Sequence, residues 1–424
     1  MSNNLPASDL PVGMDYGKEQ AIIIEKLVPG GQGLGALPDG KRVFLWNALP
    51  GEAVIDYQIT KKKSKYCEGV ATRISNPSPD RIGSKDDCYL STSPWQILDY
   101  AAELRYKVEL MSEVFRQHHI DVAEFTNDLK VETVANEYYY RNKMEYALYW
   151  DNDERKIRLA FHQRGSHRKV PIETSSLERP EIYEKASEIV ADLNARGEEA
   201  RKYQSLLLRA NQVGEVSGGL LENYQPHPVF PALSDKLLGY NYTYSVTGFF
   251  QINLPVYELV LQEIARHIQT DEVLDLYAGV GTIGLSVARE HRLVLVEVNP
   301  LAYVELEKNC RGVINDCKGV TSSHDDESDS RITPVLARSE EALDFIRGNQ
   351  TVILDPPRAG CDAKLLEKLL EETPEIIIYL SCNPATQARD LNIMLTKYRI
   401  IKVQPYNFFP RTPHLENLVV LRRG

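Results

Sequence analysis

The feature that most constrains this chain is a series of short, predominantly apolar segments separated by helix-length stretches: Val273-Leu274-Asp275-Leu276-Tyr277, Leu293 to Val298, Val335-Leu336, Val352-Ile353-Leu354-Asp355 and Ile376-Ile377-Ile378-Tyr379-Leu380. Strands that do not alternate with polar residues are buried on both faces. With helices between them they predict an α/β fold built on a doubly wound parallel sheet. Sheets of that kind bind ligands outside the carboxyl ends of their strands. Tyr277, Glu297, Asp355 and Ser381-Cys382 all fall at such ends.

At 424 residues the chain exceeds one ordinary core, so further domains are expected ahead of this one. Residues 1–16 are polar and read as a disordered leader. Over 17–75, short β-rich runs (Ala21 to Ile24, Arg42 to Leu45, Ala53 to Tyr57, Glu68 to Thr72) alternate with Gly and Pro turns, which predicts a small closed barrel of the OB type. Residues 76–240 predict a mixed α+β central domain, with a long helix near Ile97–His119 and a charged helix near Pro180–Tyr203. Residues 241–424 form the sheet domain. No apolar run approaches the ~20 residues that span a bilayer, and no secretory signal is visible, so a cytoplasmic monomer is expected.

The net charge of −11 argues little for or against a nucleic-acid partner, because phosphates meet local charge. Two basic clusters stand out: Lys61, Lys62 and Lys63 with Lys65, in a strand or hairpin of the barrel, and the stretch from Arg155 to Lys169. An acidic, Ser-rich run at Asp325-Asp326-Glu327 offsets them in the sum.

Gly279-x-Gly281-x-x-Gly284 follows the first strand of the sheet domain. Such a loop lets backbone approach a ligand at a helix N-terminus, and Glu297 ends the next strand where ribose hydroxyls would need acceptors. Nicotinamide cofactors and S-adenosylmethionine both satisfy this. Asp275 ahead of the glycines resembles methyltransferase loops and favours the methyl donor. Asp355-Pro356-Pro357-Arg358 is a rigid turn at a strand end; Arg358, where base-amino methyltransferases carry an aromatic, suits a ring with carbonyls. Cys382 lies at a strand end and precedes Asn383-Pro384. A thiolate there could add to carbon-6 of uracil and make carbon-5 nucleophilic, after which a base must remove the carbon-5 proton. Glu416 is the candidate base and His414 the alternative. The other cysteines show no metal-ligand spacing.

Taken together, Asp355-Pro356-Pro357-Arg358, Ser381-Cys382-Asn383-Pro384-Ala385-Thr386 and Gly248-Phe249-Phe250-Gln251-Ile252-Asn253 resemble the motifs of the class I S-adenosylmethionine-dependent RNA (uracil-5-)methyltransferases, over essentially the whole chain. The resemblance implies that the barrel is a TRAM domain and that the sheet domain is Rossmann-like. It implies that Gln251, Tyr277, Gly279, Thr282, Glu297 and Asp355 hold S-adenosyl-L-methionine, with Cys382 as nucleophile and Glu416 as proton acceptor. Phe249, Arg358 and the lysines Lys61, Lys62 and Lys63 would meet RNA, with ribosomal RNA expected ahead of tRNA.

The chain departs from the family at two points. Thr282 stands where some members carry Asn. Many barrel-bearing members also hold a four-iron cluster through C-x5-C-x2-C; here that stretch has Cys88 alone, with Leu90 to Gln96 in place of the Cys-rich run, so no iron–sulfur cluster and no metal site are expected. Two rival readings compete: a nicotinamide oxidoreductase, which leaves the Cys382 and Asp355 motifs unexplained, and a non-catalytic RNA-folding module.

Overall fold

The computed structural model describes residues 21–126, 128–173, 175–226, 228–318 and 331–424; the expected leader over 1–16 and the acidic run at Asp325 lie outside them.

The first sheet is a barrel. Ile22–Ile23 pairs with Ala53–Val54, and two residues on Lys26–Leu27 pairs with Gly33–Leu34. Between them Ile24 N–H donates to the Glu52 carbonyl at 3.0 Å and Glu25 N–H to the Leu34 carbonyl at 2.8 Å. One bent strand therefore bridges both edges of the sheet and closes it, with Arg42–Trp46 parallel to Tyr66–Asn76. Ile22, Val43, Leu45, Val54 and Ala71 fill the interior. Closure removes the unpaired edges that an open sheet this small would expose.

The central sheet has five antiparallel strands, ordered Val216–Glu222, Tyr203–Ala210, Lys143–Asp151, Lys156–His162 and Lys169–Pro171. The helix Pro180–Ala195 covers it with Ile182, Ala186, Val190 and Leu193. The hairpin Leu233–Leu237 with Tyr240–Tyr244 packs elsewhere: its Leu233, Leu237, Tyr242 and Tyr244 join the core of the C-terminal sheet. A join at 240–241 would divide this hairpin.

The third large sheet has seven strands in the order Ile332–Leu336, Arg292–Glu297, Glu272–Leu276, Gln350–Leu354, Ile376–Ser381, Glu416–Arg423 and Tyr398–Tyr406. The first five are parallel and the last two form an antiparallel edge. This edge goes beyond the parallel sheet read from the sequence, and it carries Glu416. Alternate residues of the central strands bury on opposite faces. Val273, Ile353 and Ile378 meet the helices Leu254–Arg266, Thr282–Val287 and Pro300–Lys318. Leu274, Val352 and Ile377 meet Ala363–Glu372 and Pro384–Met394. The chain reverses its winding between Leu276 and Leu354, and a crevice opens where it does.

The long helix is Tyr100–Gln117, capped by Asp99, whose carboxylate accepts from Ala101 and Ala102 N–H. Its Met111, Val114 and Phe115 pack on the C-terminal sheet, while Ala102 lies in a cluster with Leu27 and Leu49 of the barrel. The helix thus ties the barrel to the catalytic half. No helix among the described residues is long and apolar enough to cross a membrane.

Candidate active site

The first strand, Glu272–Leu276, ends in Tyr277, whose backbone is left-handed at φ 66° and turns the chain into the Gly-rich loop. The three glycines of that loop differ in what surrounds them. A Cβ on Gly281, at φ 88°, would lie 2.6 Å from Leu306 Cδ1, and one on Gly284 would lie 2.8 Å from Asp275 Oδ2. Both are therefore required by packing within the chain. Gly279, at φ 58°, has nothing within 4 Å of that position, so its surface is open to a ligand. Glu297 pins the loop, accepting from Gly279 N–H at 2.8 Å and from Asn299 N–H at 2.6 Å.

Tyr277 and Glu297 line a cleft of about 780 Å³ together with Val298, Ser339, Pro357 and Gly360. That volume lies within the usual range for ligand sites. One more feature fits a bound cationic or hydrogen-donating group. Asp275 donates nothing and accepts from Gly284 N–H through Oδ2, but its buried Oδ1 has no partner. Burial, reinforced by the charges of Asp355 and Glu297, pushes the Asp275 carboxyl up to about 8. Thr282 is buried and does not line the cleft. Gln251 is buried, with its carbonyl accepting from Asn142 Nδ2 at 3.0 Å, whereas Phe249 two residues before is 75 % exposed.

Cys382 follows the strand Ile376–Ser381 and is half-buried. Ser381 pairs with Asn417, so the next residues outward, Cys382 and Glu416, sit side by side at the carboxyl end of the sheet. Glu416 is buried, and burial followed by the Asp355 charge lifts its carboxyl well above the ordinary range, against the pull of Arg358. Burial, then Glu416 and Asp355, lifts the Cys382 thiol to about 11, and again Arg358 opposes them. Burial alone lifts Asp355 to about 7. Three acids thus share the opposing charge of Arg358. Enclosure of the His414 ring, then Arg358 and Lys107, lowers its pKa to about 4, which makes it a weak base.

The two signature turns hold each other. The Arg358 carbonyl accepts from Asn383 Nδ2 at 2.9 Å and from the Thr386 hydroxyl at 3.2 Å, while Asn383 Oδ1 caps the helix Pro384–Met394 through Ala385 N–H. These bonds account for Asn, Pro and Thr following the cysteine.

Several residues of the site carry no local sequence signal. Cys382 lines a smaller pocket of about 240 Å³ with Arg358, Pro413 and His414, and also with Lys107 and the barrel residues Pro29 and Gly30. Gly31, at φ 94°, lies so near Pro413 that a Cβ would come within 2.6 Å of it, and its carbonyl accepts from Trp95 Nε1 at 3.0 Å. The barrel therefore reaches the Cys382 pocket through this loop. Its lysines occupy the hairpin between Ala53–Lys62 and Tyr66–Asn76, where Lys61 is paired with Glu68 at 2.8 Å. The stretch before Glu416 is clamped from below. Fully buried Lys107 donates to Glu103 at 2.8 Å and Asn407 at 2.6 Å, and Glu103 accepts from Arg411 N–H at 3.0 Å. Lys107 and Glu103 share one helix at i,i+4, but their partners Asn407 and Arg411 lie 300 and 308 residues away, beyond any spacing pattern.

Among the described residues no group of His, Cys, Asp and Glu is placed to hold a metal ion. Cys88 is buried beside a polar knot centred on Gln96. Gln96 Oε1 accepts from Lys85 and Asp86 N–H at 2.9 Å each, and its Nε2 donates to Asp86 at 2.8 Å and Ser93 at 2.7 Å.

A Rossmann-type sheet with an antiparallel edge and an adenosyl-type cleft at its switch point defines an S-adenosylmethionine-dependent methyltransferase. Residues 232–424 match the family described as tRNA (Uracil-5-)-methyltransferase. A protein of Lactiplantibacillus plantarum named an uncharacterized RNA methyltransferase is 29% identical, over 92% of this chain and 95% of that one. One from Prochlorococcus marinus with the same description is 27% identical, over 88% and 99%. The fold is shared with the Pyrococcus abyssi tRNA (uracil-54, C5)-methyltransferase in complex with S-adenosyl-L-homocysteine, at a TM-score of 0.73 and 22% identity, covering 96% of this chain and all of that one. The C-terminal sheet domain thus carries the match to the tRNA (Uracil-5-)-methyltransferase family, and the relatives that span nearly the whole chain are described as RNA methyltransferases.

Proposed function

We propose that this enzyme converts a uridine of structured RNA to 5-methyluridine through a covalent Cys382–uracil adduct. The observation that carries this reading is the placement of Cys382 beside Glu416 at the strand ends that flank the donor cleft. Gln251, Tyr277, Gly279, Glu297 and Asp355 would hold S-adenosylmethionine, which when bound supplies an electrophilic methyl on a positively charged sulfur. Thr282, buried at the start of the helix Thr282–Val287, would support the loop from within.

In the free protein burial first, and then the charges of Glu416 and Asp355, favour the protonated thiol. Arg358 is the group that opposes them, and it would also face the uracil carbonyls. Cys382 releases its proton to solvent, the thiolate adds to carbon-6, and the electrons of the 5,6 double bond move onto carbon-5 and the carbon-4 carbonyl. Carbon-5 then takes the methyl group. Glu416, made strongly basic by burial, removes the proton left on carbon-5; the double bond re-forms as the sulfur–carbon-6 bond breaks. The uridine must leave its stack for carbon-6 to be reached, and exposed Phe249 would support it.

Large-subunit ribosomal RNA is the target favoured by the presence of the barrel. tRNA is the second reading, favoured by the whole-length likeness to the Pyrococcus abyssi enzyme. Labelled S-adenosylmethionine, offered with unmodified ribosomal RNA and unmodified tRNA and followed by nucleoside mass spectrometry, tests both. Label in 5-methyluridine from one RNA class identifies reaction and substrate; donor binding without label in either would overturn the assignment.

A further inference from the structure

The central sheet carries two cations that line neither the donor cleft nor the Cys382 pocket. Arg209 and Lys143 are paired across the neighbouring strands Tyr203–Ala210 and Lys143–Asp151, so their side chains leave the sheet on one face. Like charges set opposite each other destabilise a sheet unless something answers both. Arg209 is moreover fully buried, and its Nε has no partner. A buried guanidinium left incompletely bonded is costly, which points to a use other than stability.

What answers both cations is the backbone of one loop, between the strand Tyr240–Tyr244 and the helix Leu254–Arg266. Lys143 Nζ donates to the carbonyls of Thr247 at 3.2 Å and Gly248 at 3.1 Å. Arg209 donates through Nη1 to the Gly248 carbonyl at 3.2 Å and through Nη2 to that of Phe250 at 2.5 Å. Asn142, next to Lys143, donates to the Gln251 carbonyl at 3.0 Å. The two carbonyls before Phe249 and the two after it are therefore all held by the central sheet.

Phe249 and Phe250 are adjacent and chemically alike, yet one is 75% exposed and the other 4%. Phe250 stacks on Tyr244, with ring centres 4.0 Å apart and planes 15° from parallel. The Arg209 guanidinium lies 4.7 Å from the Tyr244 ring and 5.6 Å from that of Phe250. Phe250 is thereby fixed inside. Phe249 is left with its ring in solvent and its backbone clamped on both sides. An aromatic held in this way is a stacking surface whose ordering cost is already met before a base arrives.

We propose that Arg209 and Lys143 are positioning residues for RNA capture, holding Phe249 outward as a preset platform for the uridine that leaves its stack. The inference rests on the RNA substrate proposed above and gives the central domain a part in the reaction.

Lys143 carries the test, since it is only half-buried and its replacement does not empty the core. Chymotrypsin cuts after phenylalanines that local opening makes available, so cleavage between Phe249 and Phe250 of the native chain reports on the clamp. Lys143→Met should speed that cut, identified by fragment mass, about tenfold while cuts elsewhere keep their rates. Lys143→Arg, which can still donate to both carbonyls, should stay near wild type.

Methyl transfer supplies the second readout. Phe249→Ala should raise KM for the RNA about tenfold, the loss of one stacking contact, with kcat and S-adenosylhomocysteine affinity little changed. Lys143→Met should do the same, and adding Phe249→Ala to it should cost little more, because the ring is no longer held. Losses that simply multiply, or equal acceleration of cleavage at every site, would show a structural role only and overturn the inference. Transfer by the wild type with multiplying losses sinks the positioning role alone. Absence of transfer by the wild type, with cleavage after Phe249 still governed by Lys143, sinks the uracil-5 mechanism alone.

Discussion

Cys382 and Glu416 leave one antiparallel ladder together, each a single step beyond its last pair, Ser381 with Asn417. Two acids that would repel as anions are thereby fixed at the distance of neighbouring strands. The thiol rises to about 11 and the carboxyl rises with it. The arrangement suits a cycle in which negative charge forms on sulfur first and a proton is taken by the carboxylate later.

Glu416→Gln should therefore separate the two halves of the cycle. Addition and methylation need only the thiolate, while release needs the base, so the variant should accumulate a protein–RNA species that survives denaturing electrophoresis. Turnover should fall by a factor of about 10² or more. Normal turnover without such a band would remove Glu416 from its role. Cys382→Ala should abolish transfer while retaining donor binding.

Arg358 is the cation that draws the Cys382 pKa downward. In Arg358→Gln the thiol pKa should climb above about 11. Alkylation of Cys382 by iodoacetamide near pH 8 should slow several-fold, and its pH profile should move to higher pH. An unchanged profile would show that Arg358 does not reach the sulfur electrostatically.

Asp275 predicts a pH dependence of stability. Its folded pKa, about 8, lies above the unfolded carboxyl range, so the folded state holds the proton more tightly. Its stabilising contribution is full below the unfolded pKa of about 4 and is lost as pH rises toward the folded value. The melting temperature should fall between about pH 4 and 8 and level off above, and the fall should shrink in Asp275→Asn. An identical slope in the variant would assign the loss to another group.

Gln96 is fully buried and makes four hydrogen bonds that tie 85–86 to 93–96. This knot occupies the stretch where related barrel-bearing enzymes carry cluster-binding cysteines. Gln96→Ala leaves Asp86 and two backbone N–H groups short of partners, and about 2–4 kcal/mol of stability should be lost. Thermal unfolding measures it; a shift within error would make the knot incidental.

Gly31→Ala sets a Cβ against Pro413 and Trp95 at a left-handed φ. Packing and backbone strain act together, so a loss of about 2–3 kcal/mol is expected. Because the same loop walls the Cys382 pocket, methyl transfer should drop more than donor affinity. Equal losses in both would mean that the loop serves the fold only.

Local sequence chemistry determined much of this protein. Continuous apolar strands can be stable only when covered on both faces, so the runs from Val273 to Leu380 announced a parallel sheet, and its strand ends announced Tyr277, Glu297, Asp355 and Cys382. Motif spacing also marked Glu416 as the base to test, but its neighbourhood to Cys382 depends on the antiparallel register of Glu416–Arg423, which no local pattern encodes. Tertiary structure alone decided which glycine of the loop is open, and it buried Thr282. It brought Gly30 rather than Lys61 to the catalytic pocket, and joined Lys107 to Asn407 beneath it. The physical reason is common to these cases. Periodicity reports what a residue does within its own strand or helix, whereas a buried charge, a close backbone approach or a shared pocket wall depends on which distant segment packs against it.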